Sequence, residues 1–415
     1  MAETTDAIRA PTPVGRLLLF LLPAALAMYA IFQGLQVVVL PVRVEAVDAN
    51  HKLASLALIT TICSLTAVVG LVAGGAASDA THSRWGRRTP WLVGMAVASA
   101  GLVIAVGALA SLIGIILGAA ILWFTLNFFQ AALLAVVPDR VAPANRALAS
   151  SAFGFGGPAG AFVGVNVSAV SAPLAACAIL AALLVICVLA FVLLAPEGSS
   201  LDLEIEKGPS IGPLAALARL AASFRDRDFA FAFGARALLF LAQYIVTGYL
   251  LYAMQDYVGA SRLPGASAEV AAGLFNTFRM LASVSFLLIT GWLLQRTERR
   301  RVFFIAYSVL MAAAMALPAL SATWAAMAGY AVLGGAAWGI FASVDLAIVS
   351  HVLPNRKTAG RDIGILAVAS ALPQLLAPVI GASVIEGLGY RYLFALGAVL
   401  TLAAGFIASR FRSVR

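Results

Sequence analysis

The sequence is short of charged residues, and acids are scarcer than bases. Only 11% of its 415 residues are Asp, Glu, Lys or Arg, whereas 62% are apolar or aromatic. A soluble globular protein has about 25% charged residues, so this chain lacks the side chains that would cover a surface in contact with water. The shortage excludes a soluble enzyme, a disordered tail and a nucleic-acid-binding protein. It indicates a polytopic membrane protein whose surroundings are the lipid bilayer.

Cysteine and histidine are also scarce, with three residues of each. The cysteines lie within apolar runs, as is typical of small buried side chains, and the two residue types form no metal-binding pattern. They are Cys63, Cys177, Cys187, His51, His82 and His351. No nucleophile–base pair, Walker loop or dinucleotide fingerprint occurs either. We therefore expect no enzyme activity, no cofactor and no metal.

Long apolar runs make up most of the chain. A helix needs about 20 mostly apolar residues to cross a bilayer, and the backbone in lipid must pair its own polar groups. The predicted transmembrane helices are 17–40, 53–77, 91–110, 112–136, 147–170, 173–195, 229–253, 268–294, 302–320, 323–352, 363–386 and 391–409. The sequence thus predicts an all-α membrane protein, and the first run is too long for a signal peptide.

The basic residues indicate the topology. With the N-terminus in the cytoplasm, 21 of the 27 basic residues fall on the cytoplasmic side and four fall outside. This bias is the positive-inside pattern, and it predicts that both termini are cytoplasmic. The 24 arginines against 3 lysines, the abundant alanine and the short loops favour a bacterial inner (plasma) membrane.

A polar stretch at 196–228 lies midway along the chain and is predicted to be a cytoplasmic linker. It separates an N-terminal six-helix bundle, 1–195, from a C-terminal one, 229–415. Two loops recur between the halves at a constant offset of 216 residues, as an internal duplication in parallel orientation would produce. The matching pairs are Gly75/Gly291, Thr81/Thr297, Arg84/Arg300, Pro138/Pro354 and Arg140/Arg356.

The first of these loops, GGAASDATHSRWGRRTPW at 74–91, resembles the loop between helices two and three of the major facilitator superfamily. Its tail, SRWGRRTPW, and the second loop at 353–364 with the Ala371-Leu-Pro373-Gln374 segment resemble the branch of glycoside–cation symporters and sucrose-type transporters. The resemblance implies 12 transmembrane helices in two parallel six-helix repeats. It also implies a secondary active transporter that carries a small-molecule solute by alternating access. We expect a monomer.

The resemblance assigns a mechanical role to the loop residues, because in this family the loop latches the two halves together in the outward-open state. Asp79 is the acid of the first loop, and Gln295 stands at the matching position of the second, so an ionic latch should be asymmetric. The alternative is a plain basic anchor at the membrane surface. The predicted latch residues are Asp79, Arg84, Arg87, Arg88, Asp139, Arg140, Arg146, Arg356, Arg361 and Asp362.

Away from the span ends, three charged residues fall inside predicted spans, where charge is costly and often functional. Arg279 lies near the middle of helix eight, and either binds substrate or forms a structural ion pair with Asp345. Asp345 is the only acid away from the span ends, so it is the predicted coupling residue if protons are transported. Arg236 lies nearer the cytoplasmic end, where it could snorkel to the surface.

The resemblance further implies that helices 1, 4, 7 and 10 line the central cavity. These helices carry amides and aromatic rings, which suit a neutral hydroxyl-bearing or amphipathic solute. With two helix-eight residues added, the predicted substrate-binding set is Gln33, Gln36, Asn127, Gln130, Gln243, Tyr244, Asn276, Arg279 and Trp338.

The chain departs from the family patterns at two places. Ala67 and Leu71 stand where glycoside–cation symporters have helix-two carboxylates, so no sodium site can be built there. Asn127 replaces an arginine that many proton-coupled exporters carry on helix four. The glycines of 154–160 vaguely resemble an antiporter motif, although packing contacts explain them equally. Uptake of a sugar or glycoside by symport, proton-driven export of an amphipathic metabolite or drug, and a non-transporting scaffold or receptor therefore all stay open.

Overall fold

The computed structural model describes residues 13–201, 224, 227–294, 296–297, 300–352 and 359–410; within these ranges the side chains of 144, 147, 228, 300–301, 345–352 and 359–367 are not described. Every regular element in the described ranges is a helix. The predicted linker 196–228 is therefore described mainly at its two ends.

Twelve helices are long and apolar enough to cross a membrane. This confirms the predicted all-α membrane protein. The helices are α1 Val14–Val47, α2 Lys52–Asp79, α3 Thr89–Ala108, α4 Leu112–Arg140, α5 Arg146–Val170, α6 Pro173–Leu194, α7 Arg227–Thr247, α8 Ala268–Leu294, α9 Arg300–Leu320, α10 Trp324–Val352, α11 Ala359–Leu388 and α12 Tyr390–Ala408.

The shortest breaks between helices are built from capping residues. The Ser111 hydroxyl accepts the Gly114 N–H at 3.2 Å and starts α4. The Thr323 hydroxyl accepts the Ala326 N–H at 3.3 Å and starts α10. Pro173 is the first residue of α6, where its missing N–H costs no hydrogen bond. Each break satisfies or removes an orphan helix donor, so short polar segments are enough to separate long apolar helices.

Two helices have irregular segments. A π-helical turn interrupts α1 at Leu35–Val39. The helix predicted over 229–253 ends at Thr247, and a short turn at Leu250–Tyr252 and a π-helical segment at Ala253–Gly259 follow it. The apolar run continues through this break, so hydropathy alone could not locate it. The first helix of each half therefore has a π-helical segment toward its C-terminal end, a feature frequent near functional sites.

The helices form two compact units, Met1–Ala49 with Ile62–Lys207, and Asn50–Thr61 with Gly208–Arg415. In the first unit α1 packs on α5 and α6, and α3 packs on α4 and α6. In the second unit α7 packs on α11 and α12, and α9 packs on α10 and α12. Each helix thus has the same neighbours as the helix six places later, which is the arrangement expected of two parallel six-helix repeats.

The α1–α5 contact depends on glycines of α5. A Cβ at Gly160 would lie 2.6 Å from the carbonyl oxygen of Leu26, and a Cβ at Gly164 would overlap the carbonyl of Ala30. Gly157, in contrast, faces open space. The glycine-rich segment of α5 therefore supports the packing interpretation of 154–160, because small residues let two backbones approach closely.

A second close crossing joins α2 and α4. Cβ atoms at Gly70 and Gly74 would meet the backbone carbonyls of Phe124 and Phe128. The next residue, Gly75, faces open space.

The corresponding crossing in the second unit joins α8 and α10. Here the glycines lie on α10, and Cβ atoms at Gly335 and Gly339 would overlap the carbonyls of Arg279 and Ser283. This contact fixes the height of Arg279 relative to α10.

The first residues of α2 belong to the second unit. Lys52 donates to Asp256 at 2.9 Å, and the Tyr390 hydroxyl donates to the other carboxylate oxygen of Asp256 at 3.0 Å. The Lys52 ammonium also lies 4.7 Å from the centroid of the Tyr252 ring. One carboxylate therefore connects the beginning of α2 to the beginning of α12.

Candidate functional site

Arg88 is the centre of a charge cluster at the α2–α3 loop. The residue is 3% exposed. Its guanidinium donates to Asp79, to the Ser78 hydroxyl and, at 2.8 Å, to Asp139. Arg87 also donates to Asp139 at 2.8 Å, so this carboxylate at the end of α4 bridges two arginines. Charge-assisted bonds of this kind are among the strongest side-chain contacts, and they connect the ends of α2 and α4 to the start of α3.

Glu197 completes the cluster, and the sequence analysis missed it. Its carboxylate accepts the backbone N–H groups of Arg87 at 3.2 Å, Arg88 at 3.0 Å and Thr89 at 2.9 Å, as well as the Thr89 hydroxyl at 3.0 Å. Arg88 provides no side-chain cap for α3, so Glu197 supplies the acceptor and the negative charge that a helix N-terminus favours. The available signal was its place directly after α6, which the topology puts on the same membrane side as this loop.

The other described latch residues have different partners. Arg84 is exposed and lies 5.0 Å from the Trp85 ring. Arg140 donates to two backbone carbonyls just after α6, at 2.8 and 2.9 Å. Arg146 donates to two carbonyls of the segment before it, at 3.1 and 2.9 Å. Arg356, and the side chains of Arg361 and Asp362, lie outside the described residues.

The first unit has a patch of aromatic rings and amides on α1 and α4. The Gln130 amide donates to the Tyr29 hydroxyl at 3.3 Å. Phe32 meets Trp123 edge to face at 5.8 Å between centroids. The Asn127 amide donates to the Trp123 carbonyl at 2.8 Å, so its oxygen stays available to another donor. This patch can offer hydrogen bonds and an apolar ring surface together.

Four other predicted binding residues make fewer contacts. Gln33 and Gln36 are half-buried on α1, Gln36 within the π-helical turn, and neither makes a hydrogen bond to another described residue. Asn276 donates to a carbonyl of its own helix at 3.0 Å. The Tyr244 ring lies 5.8 Å from that of Phe240.

The second unit places Gln243 against Arg279. The Gln243 side-chain amide is oriented with its oxygen toward the Arg279 guanidinium. In the opposite orientation the amide nitrogen, which is a donor, would face only other donors. Its oxygen accepts from Arg279 Nη1 at 3.1 Å and Nη2 at 2.8 Å, and from the Thr247 hydroxyl at 2.7 Å. The Arg279 guanidinium carbon also lies 6.0 Å from the Trp338 ring centroid. Three helices, α7, α8 and α10, thus contribute to the surroundings of one half-buried arginine.

A cluster of rings adjoins this arginine. Phe240 contacts both Trp338 and Phe341 at 6.0 Å between centroids. Arg236 lies 5.3 Å from the Phe240 ring and donates to the Ser370 hydroxyl on α11 at 2.9 Å. The cluster therefore has an arginine at each end.

Asp345 lies at another level of α10. Gly335 faces Arg279, and farther along the Ser343 hydroxyl donates to the Leu287 carbonyl at 3.1 Å, so α8 and α10 run in the same direction in fixed register. Asp345 follows Gly335 by ten residues, about 15 Å along a helix. This separation does not favour the Arg279–Asp345 ion pair. The Asp345 side chain itself lies outside the described residues.

Within the described part of the chain, no group of three or more His, Cys, Asp or Glu residues could hold a metal ion.

The comparisons with known proteins agree with this fold. The sequence profile of the Major Facilitator Superfamily matches residues 22–268 and 232–415. The nucleoside transporter NupG is similar in structure, with a TM-score of 0.71 at 16% identity over 95% of this chain and 100% of that one. A mutant form of NupG gives a TM-score of 0.74, also at 16% identity, over 95% of this chain and 99% of that one.

A bacterial homolog of the human lysosomal transporter Spinster has a TM-score of 0.66 at 12% identity over 95% of this chain and 94% of that one. At these identities the likeness shows the fold alone. No curated protein matches the sequence. The family profile covers nearly the whole chain, and the chain therefore belongs to the Major Facilitator Superfamily, a family of multi-pass membrane transporters.

Proposed function

We propose that the protein moves a small organic solute across the bacterial inner membrane by alternating access, as a secondary active transporter. The observation that carries this is the occurrence of one amide-and-ring patch in each repeat. Gln130 and Tyr29 lie beside the Phe32–Trp123 pair in the first unit, and Gln243 lies beside the Arg279–Trp338 pair in the second. Polar and ionisable residues inside a membrane are costly, and they often mark the path of a substrate.

We place both termini and the α2–α3 loop in the cytoplasm, on the strength of the basic residues there. In this orientation the Arg88 cluster is our proposed latch. Exposed ion pairs contribute only about 0–1 kcal/mol each. Two transporter states need differ by only a few kcal/mol, so a few charge contacts that this loop makes in one state alone would be sufficient to bias them.

The coupling ion and the transport direction are further parts of the proposal. Asp345 is the residue we assign to proton coupling, because it is the acid that lies away from the ends of the predicted spans. The α5 glycines pack on α1, so they give export no separate support. We favour uptake, and we keep export of an amphipathic solute as the alternative.

A binding screen followed by a flux assay tests this function. The purified protein would be melted with monosaccharides, disaccharides, glycosides, nucleosides and amphipathic drugs. A ligand at about 100 times its dissociation constant stabilises the protein by about 2.7 kcal/mol. The uptake of a stabilising compound into proteoliposomes would then be measured with and without a proton ionophore.

The variant for this screen is Gln130→Ala. Its control is Asn166→Ala, because Asn166 lies outside this patch and its amide donates to the Phe162 carbonyl of its own helix. The proposal is supported if the protein takes up the solute along an ion gradient and if Gln130→Ala weakens this uptake whereas Asn166→Ala does not. Binding without flux in any gradient would favour the receptor or scaffold instead.

A further inference from the structure

We propose that the transported solute carries a carboxylate and that Arg279 binds it. The inference rests on the transport function proposed above and names the chemical class of its solute.

The first step is the position of the charge. Arg279 lies near the middle of α8, Ala268–Leu294, and is half-buried. A guanidinium at that depth usually has a carboxylate partner. Among the described residues, Arg279 has no ion pair, and its partners are the neutral amide of Gln243 and the ring of Trp338. A ligand carboxylate can therefore supply the partner that the described residues do not.

The second step is the geometry of the free donors. Arginine has five N–H donors in a planar fork, and the Gln243 oxygen takes one from each terminal nitrogen. Three donors remain. Gln243 is held by the Thr247 hydroxyl, so it fixes the plane of the guanidinium before a ligand arrives. A planar, oriented fork is the arrangement that binds a carboxylate with two parallel hydrogen bonds.

The third step is the environment of the fork. The Trp338 ring adjoins it, and Phe240 and Phe341 pack on Trp338, so these rings provide a surface for a flat or apolar body. A guanidinium with apolar walls attracts anions more strongly than it would in water. The structure thus favours a small organic acid with a planar or apolar body.

The test compares acids with their neutral isosteres on the full-length protein. The probes are phenylacetate and indole-3-acetate against phenylacetamide and indole-3-acetamide, and glucuronate against glucose. Dissociation constants would be measured by calorimetry in detergent. We expect at least one acid to bind tenfold or more tightly than its neutral partner, and Arg279→Gln to abolish that preference.

Gln243→Glu separates binding from packing. A carboxylate at this position would pair internally with Arg279, so the melting temperature should stay unchanged or rise. Acid binding should nevertheless weaken by more than tenfold, and by a larger factor than the binding of the neutral probes. If Arg279 serves only to hold α8 against α7, Gln243→Glu should leave acid binding unchanged, and that result would overturn the inference.

The two proposals fail differently. Absence of binding by every acid, or equal affinity for acid and amide, overturns the carboxylate inference. If a neutral sugar, nucleoside or drug is still transported, the transport function stands. If no solute of either panel binds or moves, both proposals fail.

Discussion

The carboxylate of Glu197 should protect the first backbone amides of α3 from solvent exchange. It accepts the N–H groups of Arg87, Arg88 and Thr89 and lies at a helix N-terminus. Glu197→Gln keeps one oxygen acceptor but removes the charge, so the bonds become neutral and the favourable term with the helix dipole is lost.

The expected loss follows from these contacts. A charge at a partly buried helix end contributes about 0.3–2 kcal/mol. Hydrogen bonds to charged groups contribute about 1 kcal/mol more than neutral ones. Because Glu197 is half-buried and two of its bonds exceed 3.1 Å, we expect a loss of about 1–2 kcal/mol. This corresponds to roughly 5–30-fold faster exchange at these amides.

Hydrogen–deuterium exchange of peptides covering 85–92 measures this directly in the full-length protein. Glu197→Ala should accelerate exchange further than Glu197→Gln. Glu269→Gln is the matched control, because Glu269 lies in the first turn of α8 and pairs with the Ser267 hydroxyl at 2.6 Å. Unchanged exchange at 87–89 in both Glu197 variants would refute the reasoning.

Two further predictions concern packing and the proposed latch. Gly160→Leu should lower the melting temperature sharply, because its side chain overlaps the α1 backbone, whereas Gly157→Leu on the open face should not; equal melting temperatures would contradict this. Asp139→Asn should destabilise the protein more than Asp79→Asn, because Asp139 pairs with two arginines and its side chain is 18% exposed, against 60% for Asp79. Asp79→Asn should mainly slow solute uptake, and a wild-type uptake rate would argue against the latch.

Hydropathy was sufficient to predict the number of helices but not where they end. The apolar run 17–40 belongs to a helix that continues to Val47, and the run 112–136 belongs to one that continues to Arg140. Hydropathy reports which residues suit lipid. A helix ends where its backbone finds other hydrogen-bond partners, which happens in the polar layers that hydropathy leaves undefined.

The site residues were partly predictable for a related reason. Charge in a loop or inside a span is visible in sequence, so Arg88 and Arg279 were predicted. Their partners were not, because Asp139 lies 51 residues from Arg88 and Glu197 lies 109 residues away. Gln243 was predicted to bind solute, but its contact with Arg279 depends on how α7 packs against α8, which the sequence of α7 alone does not encode.

The glycines at the two close crossings bear on the history of the chain. In the first repeat Gly70 and Gly74 lie on the second helix of the crossing pair α2–α4, whereas in the other repeat Gly335 and Gly339 lie on the fourth helix, α10. Either member of a crossing pair can omit the Cβ that would hold the backbones apart. After a duplication, the two copies could therefore keep the same short distance between the helices, although the glycines came to lie on different members of the crossing pair. A residue-by-residue alignment of the halves would score these positions as unrelated, although in both halves the glycines allow the same close approach of two helix backbones.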